Sequence, residues 1–188
     1  MQIFFEKFYC RNYFTNIVRS KSFILNLLSF SLQSNLVMKY LHEISFSDTF
    51  SVRHPVLRAG KPLESCHFDG DELISTKHFG LFVDNFLIGV VSVFKNNSAI
   101  FIASNQYQIR GMAVLADFQK KGYGADLVKH CEDYVLQQKG TLIWFNAREN
   151  AVPFYEKLNY SKIGNPFNIT DIGLHYIMKK EIGENAYE

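Results

Sequence analysis

Ile109-Arg110-Gly111-Met112-Ala113-Val114-Leu115-Ala116-Asp117-Phe118-Gln119-Lys120-Lys121-Gly122-Tyr123-Gly124-Ala125 runs from a strand-like stretch through a polar loop onto the start of a helix. The loop carries two lysines and two glycines, and that combination makes an anion site. The first N–H groups of a helix have no intrahelical partner and sit at the positive end of its dipole. Glycine lets a backbone approach phosphate oxygens closely, and Lys120 and Lys121 can add charge from the rim. The spacing excludes two familiar phosphate loops. Neither G-x-x-x-x-G-K-[ST] nor G-x-G-x-x-G is present.

Downstream, Leu127, Val128, Cys131, Tyr134 and Val135 recur at helical spacing, which predicts a helix from Gly124 to about Gln138 with Cys131 buried. Lys139-Gly140 closes it, with Gly140 expected in the left-handed conformation. Thr141 to Phe145 is a nearly continuous apolar strand of the kind covered on both faces. Asn150 is expected to cap a second helix, with Pro153 in its first turn and Asn159 as a left-handed stop. Tyr160 to Ile163 and Leu174 to Lys180 read as the closing strands, with 164–173 as the loop between them. Upstream, Asp84-Asn85 joins Phe79–Val83 to Phe86–Phe94 as a tight hairpin. Ala99–Ala103 and Tyr107–Val114 read as further strands, and Tyr40–Phe46 as an opening one. Asp48-Thr49 is expected to cap a short helix through Val52, Val56 and Leu57, with Pro55 in its first turns. Residues 63–77 are polar and irregular, with acids at Asp69, Asp71 and Glu72. The fold class is therefore α/β (α+β): a mixed, mostly antiparallel sheet flanked by helices.

The chain has 188 residues, 47% hydrophobic and 20% charged, enough for one packed domain and too apolar for wholesale disorder. A net charge of +2 gives no basic field for nucleic acid. Residues 1–37 read as an N-terminal extension to a functional domain at 38–188. A packed extra helix and a targeting segment are the other readings of that head. Its longest apolar run, Phe23 to Phe30, falls short of the ~20 residues that cross a bilayer, so no membrane insertion is expected. Cys10, Cys66 and Cys131 form no C-x-x-C pair and suit a reducing cytoplasm. The six histidines lack metal-ligand spacing, so no metal is expected.

With these residues in view, the chain resembles the GNAT N-acetyltransferases. Gln119-Lys120-Lys121-Gly122-Tyr123-Gly124 matches their [QR]-x-x-G-x-[GA] signature. Met112-Ala113-Val114 is similar to the end of their fourth strand, and Trp144-Phe145-Asn146-Ala147 to the end of their fifth. Asn150 to Tyr160 resembles their N-x-x-A-x-x-F-Y-x-K-x-G-F block, with Asn159 where glycine is usual. The likeness spans roughly residues 38–182 and is strongest over 107–163.

The resemblance implies a sheet whose fourth and fifth strands splay apart, acetyl-CoA as co-substrate, and direct acetyl transfer to an amine acceptor. By similarity, the pyrophosphate would sit on amides from Lys121 to Ala125, with Gln119, Lys120 and Phe154 alongside. The pantetheine arm would follow Met112, Ala113 and Val114 and reach Asn146. Asn150 would face the cofactor, and Tyr155 would protonate the departing thiolate. Family members are often homodimers. The general base is not legible: the fourth strand has no acid, and Glu149, Asp71 and Glu72 are candidates acting through water. Arg110 faces either an acceptor carboxylate or solvent, and His175 lies in a strand bordering the acceptor cleft. An inactive acetyl-CoA sensor or scaffold is the competing reading.

Overall fold

The computed structural model describes residues 37–170 and 172–183. The expectations for the head fall outside them, Val37 apart. Seven strands form one sheet within this region: β1 (Lys39–Ile44), β2 (Lys77–Val83), β3 (Phe86–Lys95), β4 (Gln106–Val114), β5 (Leu142–Arg148), β6 (Ser161–Ile169) and β7 (Gly173–Glu181). Their order is β1-β2-β3-β4-β5-β7-β6. Every neighbouring pair is antiparallel except β4 and β5. Three helices accompany them: α1 (Phe50–Leu57), α2 (Tyr123–Gln137) and α3 (Val152–Glu156).

The apolar stripe of α2, Leu127, Val128, Cys131 and Val135, is buried against Val91, Val93 and Ile109 of the sheet. A smaller cluster joins Val52 of α1 to Val90 and Ala113. With helices on both faces, β3 is buried from Ile88 to Phe94, which explains its unbroken apolar run. The hairpin between β2 and β3 turns on Asp84 (φ 48°) and Asn85 (φ 68°), as their identity predicts. Asn159 is also left-handed, at φ 66°.

Beneath α1 lies a polar knot inside the core. The fully buried Arg53 guanidinium meets the fully buried Asp71 carboxylate at 2.6 Å. Its Nη1 also donates to Cys66 O at 2.9 Å, and its Nη2 to Ser92 Oγ at 2.7 Å. Asp71 Oδ2 additionally accepts the Phe68 amide at 2.8 Å. His78 completes the chain. Its Nε2–H faces Asp71 O at 2.9 Å, so its Nδ1 accepts the Ser92 hydroxyl at 2.6 Å. One network thus ties α1, the irregular 63–76 segment, β2 and β3 together.

Several local expectations need correction. Ala99–Ala103 is not a strand but a loop. The buried Gln106 carboxamide donates to the carbonyls of Ser98, Phe101 and Ala103, which holds the backbone away from a ladder. The left-handed residue after α2 is Lys139 (φ 55°), not Gly140. Glycine is needed there for space, since a Cβ would lie 2.4 Å from Val135 Cγ1. Neither helix expected to be capped has a side-chain cap. A 3₁₀ turn, Ser47–Thr49, leads into α1, where Pro55 is the sixth residue, and Asp48 instead accepts from Ser45. Asn150 lies in a second 3₁₀ turn, Glu149–Ala151, ahead of α3. β6 runs on to Ile169 and β7 starts at Gly173, so most of the stretch placed in a loop at 164–173 is strand.

Asp71→Asn leaves a buried guanidinium unpaired and should lower unfolding stability by about 3–5 kcal/mol. Lys77→Gln, which removes an exposed pair with Glu43, should change it by less than about 1 kcal/mol; urea titration of both variants checks this. Acid should act through His78, whose pKa burial holds below the ordinary 6.5. The unfolded chain protonates this histidine below that value and the folded one resists. Stability is therefore full above 6.5 and drains as pH falls below it, and His78→Gln should flatten that part of the curve.

Candidate active site

The parallel ladder between β4 and β5 has three rungs: Gln106 to Leu142, Tyr107 to Ile143 and Gln108 to Trp144. Beyond Gln108 the two strands share no ladder. β5 stays paired with β7 as far as Arg148 opposite His175, and β4 stays paired with β3 as far as Val114 opposite Gly89. Two strand edges therefore face each other across a gap.

Gly111 marks the departure. At φ +60° it sits in a bulge, where Arg110 to Ala113 of β4 spans only Val90 to Ser92 of β3. A Cβ on Gly111 would lie 2.6 Å from Arg53 Nε and 2.8 Å from the Phe68 ring. A cavity of about 390 Å³ fills the gap, lined by β4 from Gln108 to Met112, β5 from Phe145 to Arg148, and Tyr155. Arg58 and Phe68 close one side of it, and Ile169, Ile172 and His175 another.

The glycine loop lies at the end of β4. Gly122 stands before α2 at φ +88°, a conformation only glycine adopts freely, and nothing approaches within 4 Å of where its Cβ would be. Gly124 is glycine for another reason: a Cβ there would press on the Phe154 ring at 3.2 Å. The amides of Tyr123 and Gly124 stand in the first turn, before any intrahelical acceptor. Ala125, expected among the anion-binding amides, already donates to Gly122 O at 2.9 Å. The Gln119 carboxamide donates to Val114 O at 2.9 Å and so closes the loop on itself. Lys120 and Lys121 are exposed, and Lys121 Nζ lies 5.4 Å from the Phe118 ring centre.

Tyr155 is buried among Phe145, Phe154 and Tyr160, yet its ring also borders the cavity. The hydroxyl points to Met112 Sδ at 3.7 Å, a weak acceptor. Burial pushes the phenol pKa upward, so it stays protonated at neutral pH. Asn146 is exposed on β5 and lines the cavity, whereas Asn150 is exposed and does not. Of the carboxylates considered as bases, Asp71 is excluded by its pairing with Arg53. Glu72 is exposed beside His67, and Glu149 is exposed outside the cavity. Among the described residues no carboxylate lines the cavity.

Three features were missed. Arg58 and Arg148 join Arg110 at the cavity wall, and Gly111 supplies the bulge. Signals existed for two of them: a glycine inside an apolar strand, and Asn146 with Arg148, polar residues two apart on an otherwise apolar strand. His175 Nδ1 lies 2.7 Å from Gly173 O, to which it donates.

Residues 39–160 match the acetyltransferase (GNAT) family. Over 139 residues the chain is 32% identical to the uncharacterized N-acetyltransferase YitI of Bacillus subtilis (strain 168), covering 74% of this chain and 93% of that protein. In three dimensions it resembles an aminoglycoside 6'-N-acetyltransferase complexed with coenzyme A, with TM-score 0.62, 15% identity, and 78% and 98% of the two chains covered. It likewise resembles the ribosomal-protein-S18-alanine N-acetyltransferase from Escherichia coli, with TM-score 0.59, 18% identity, and 80% and 100% covered. Among the described residues no helix is long and apolar enough to cross a membrane.

Two glycine substitutions separate strain from crowding. Gly122→Ala meets only the left-handed backbone and should lower stability by about 1 kcal/mol. Gly111→Ala meets the same backbone and the Arg53 side chain, and should cost about 3 kcal/mol. Denaturant unfolding of the two proteins, with circular dichroism as the readout, distinguishes them.

Proposed function

The chain belongs to the GNAT acetyltransferase family, and we propose that it transfers an acetyl group from acetyl-CoA to a primary amine by direct attack. One observation carries this reading. The gap between β4 and β5 offers open strand edges and has Tyr155 at its wall, and the glycine loop follows the end of β4. These residues fit the co-substrate. Amides at the start of α2 suit a pyrophosphate, and a free strand edge suits the amides of a pantetheine arm. Acetyl-CoA, when bound, supplies a thioester as acyl donor.

The chain's residues then have separable tasks. Gly122, Tyr123 and Gly124 hold phosphate, with Lys120 and Lys121 adding charge. Met112, Ala113, Val114 and Asn146 orient the arm, and a β4 amide near Ala113 or Val114 polarises the thioester carbonyl. Net chemistry moves one proton from the acceptor nitrogen to the coenzyme sulfur. Tyr155 serves the second half. Its raised pKa makes it a poor acid toward a resting thiolate of ordinary basicity, about 8.5. It donates a hydrogen bond that strengthens as the C–S bond breaks and charge gathers on sulfur. His175 serves the first half, its Nε2 lone pair accepting the amine proton directly or through water. The working compartment in this reading is the cytoplasm, and the assembly a homodimer.

A non-catalytic acetyl-CoA sensor is the second reading, favoured by the lack of a carboxylate at the cavity wall among the described residues.

Acetyl-CoA at about a hundred times its Kd should raise unfolding stability by about 2.7 kcal/mol, several degrees in Tm, with NAD and ATP as inert controls. Tyr155→Phe should lower kcat about a hundredfold and leave acetyl-CoA affinity within about twofold, by thiol release and calorimetry. His175→Gln should lower kcat/KM about tenfold or more. Unchanged rates in both variants would favour the sensor.

A further inference from the structure

We propose that the acceptor is a small primary amine carrying an acidic group, carboxylate or phosphate, received by Arg58, Arg110 and Arg148. The inference rests on the acetyl-transfer reading for the amine half, while the anion half stands on the cavity itself.

The three guanidinium groups are held together rather than scattered. Arg58 Nη1 and Arg148 Nη2 both donate to Leu57 O, at 3.1 and 3.4 Å. Arg58 and Arg110 both lie over the Phe68 ring, at 5.2 and 5.4 Å from its centre. Arg58 Nε is further fixed on Ser65 O at 3.1 Å, and Arg110 Nη1 on Asp69 O at 2.9 Å. Backbone carbonyls and a ring face therefore orient all three, and each retains N–H groups beyond those contacts.

Among the described residues none of the three forms an ion pair. Asp71 is paired with Arg53, and Asp69 holds Arg110 through its backbone carbonyl; the fields of both carboxylates favour charged Arg110, but neither forms a salt bridge with it. Burial disfavours the charged form of Arg110, and burial with the field of Arg148 does the same for Arg58. Three like charges gathered in a half-buried wall repel one another, and a bound anion relieves that repulsion. A guanidinium fork matches carboxylate and phosphate oxygens alike. Leu57, Ile169 and Ile172 give the same cavity an apolar flank for the hydrocarbon between acid and amine.

The test uses the full chain saturated with coenzyme A, titrated calorimetrically with matched amines. L-Leucine is compared with isopentylamine, 4-aminobutyrate with butylamine, and O-phosphoethanolamine with ethanolamine. The acidic member of at least one pair should bind about tenfold tighter or more. The carboxylate and phosphate pairs tell the two anions apart. Arg110→Met and Arg148→Met should each erase the preference, and Arg110→Lys should restore part of it. Where Arg110→Met unfolds the protein, Arg148→Met decides. Coenzyme binding with no acidic preference, or a preference untouched by the arginine variants, overturns the acceptor inference and leaves acetyl transfer standing. Failure to bind coenzyme A overturns both.

Discussion

The site depends on two neighbouring strands that stop pairing. β4 and β5 share three rungs and then part, although each keeps its other neighbour to the end. An open strand edge inside a sheet is unfavourable, since its N–H and C=O groups seek partners. Something must therefore hold the strands apart. On β4 it is the left-handed Gly111 and its bulge, with Arg53 and Phe68 packed where a side chain would be. On β5 it is the aromatic group of Phe145, Tyr155 and Tyr160. Tyr155 packs in the core and also lines the gap, so a packing residue is also the hydrogen-bond donor to sulfur in the proposed reaction.

The buried Arg53–Asp71 pair shows how stability and function constrain each other. Ion pairs of this kind seldom add net stability over apolar packing, but losing one partner is costly. Here the pair fastens a segment with little regular structure, residues 63–76, to α1 and the sheet. That segment supplies Phe68 and the Asp69 carbonyl, the two groups that orient Arg58 and Arg110. The same pairing occupies Asp71, the buried carboxylate among the described residues, so it does not serve as a base. Among the described residues the cavity wall carries three arginines and no carboxylate, with Asp71 paired underneath it.

Local chemistry was legible and long-range partners were not. Asp84-Asn85 announces its turn because left-handed residues are few and those two tolerate the conformation. The stripe of α2 announces its buried face because it repeats over fifteen residues. Ala99 to Ala103 misled because five mostly apolar residues resemble a strand, while the side chain that forbids one, Gln106, lies outside the run. Gly140 misled in the opposite way. The residue type was right, but the reason was crowding by Val135 and Tyr107 rather than backbone angle. Arg53 and Arg58 carry no pattern at all, and Arg148 only its spacing from Asn146. Their meaning comes from partners as distant as Ser92 and Leu57.

The arginine cluster also bears on the proton that must leave the acceptor. An ammonium cannot attack a thioester, so a nearby group must accept its proton. A carboxylate would stabilise the ammonium by its own charge even as it accepted the proton. Positive charge does the reverse: it disfavours the ammonium and raises the share of neutral amine. An acidic acceptor drawn in by its anion would present its nitrogen within the field of three guanidinium groups. There an imidazole such as that of His175 suffices to carry the proton away. The absence of an acid from the cavity wall among the described residues and the presence of three bases on it then express one electrostatic design.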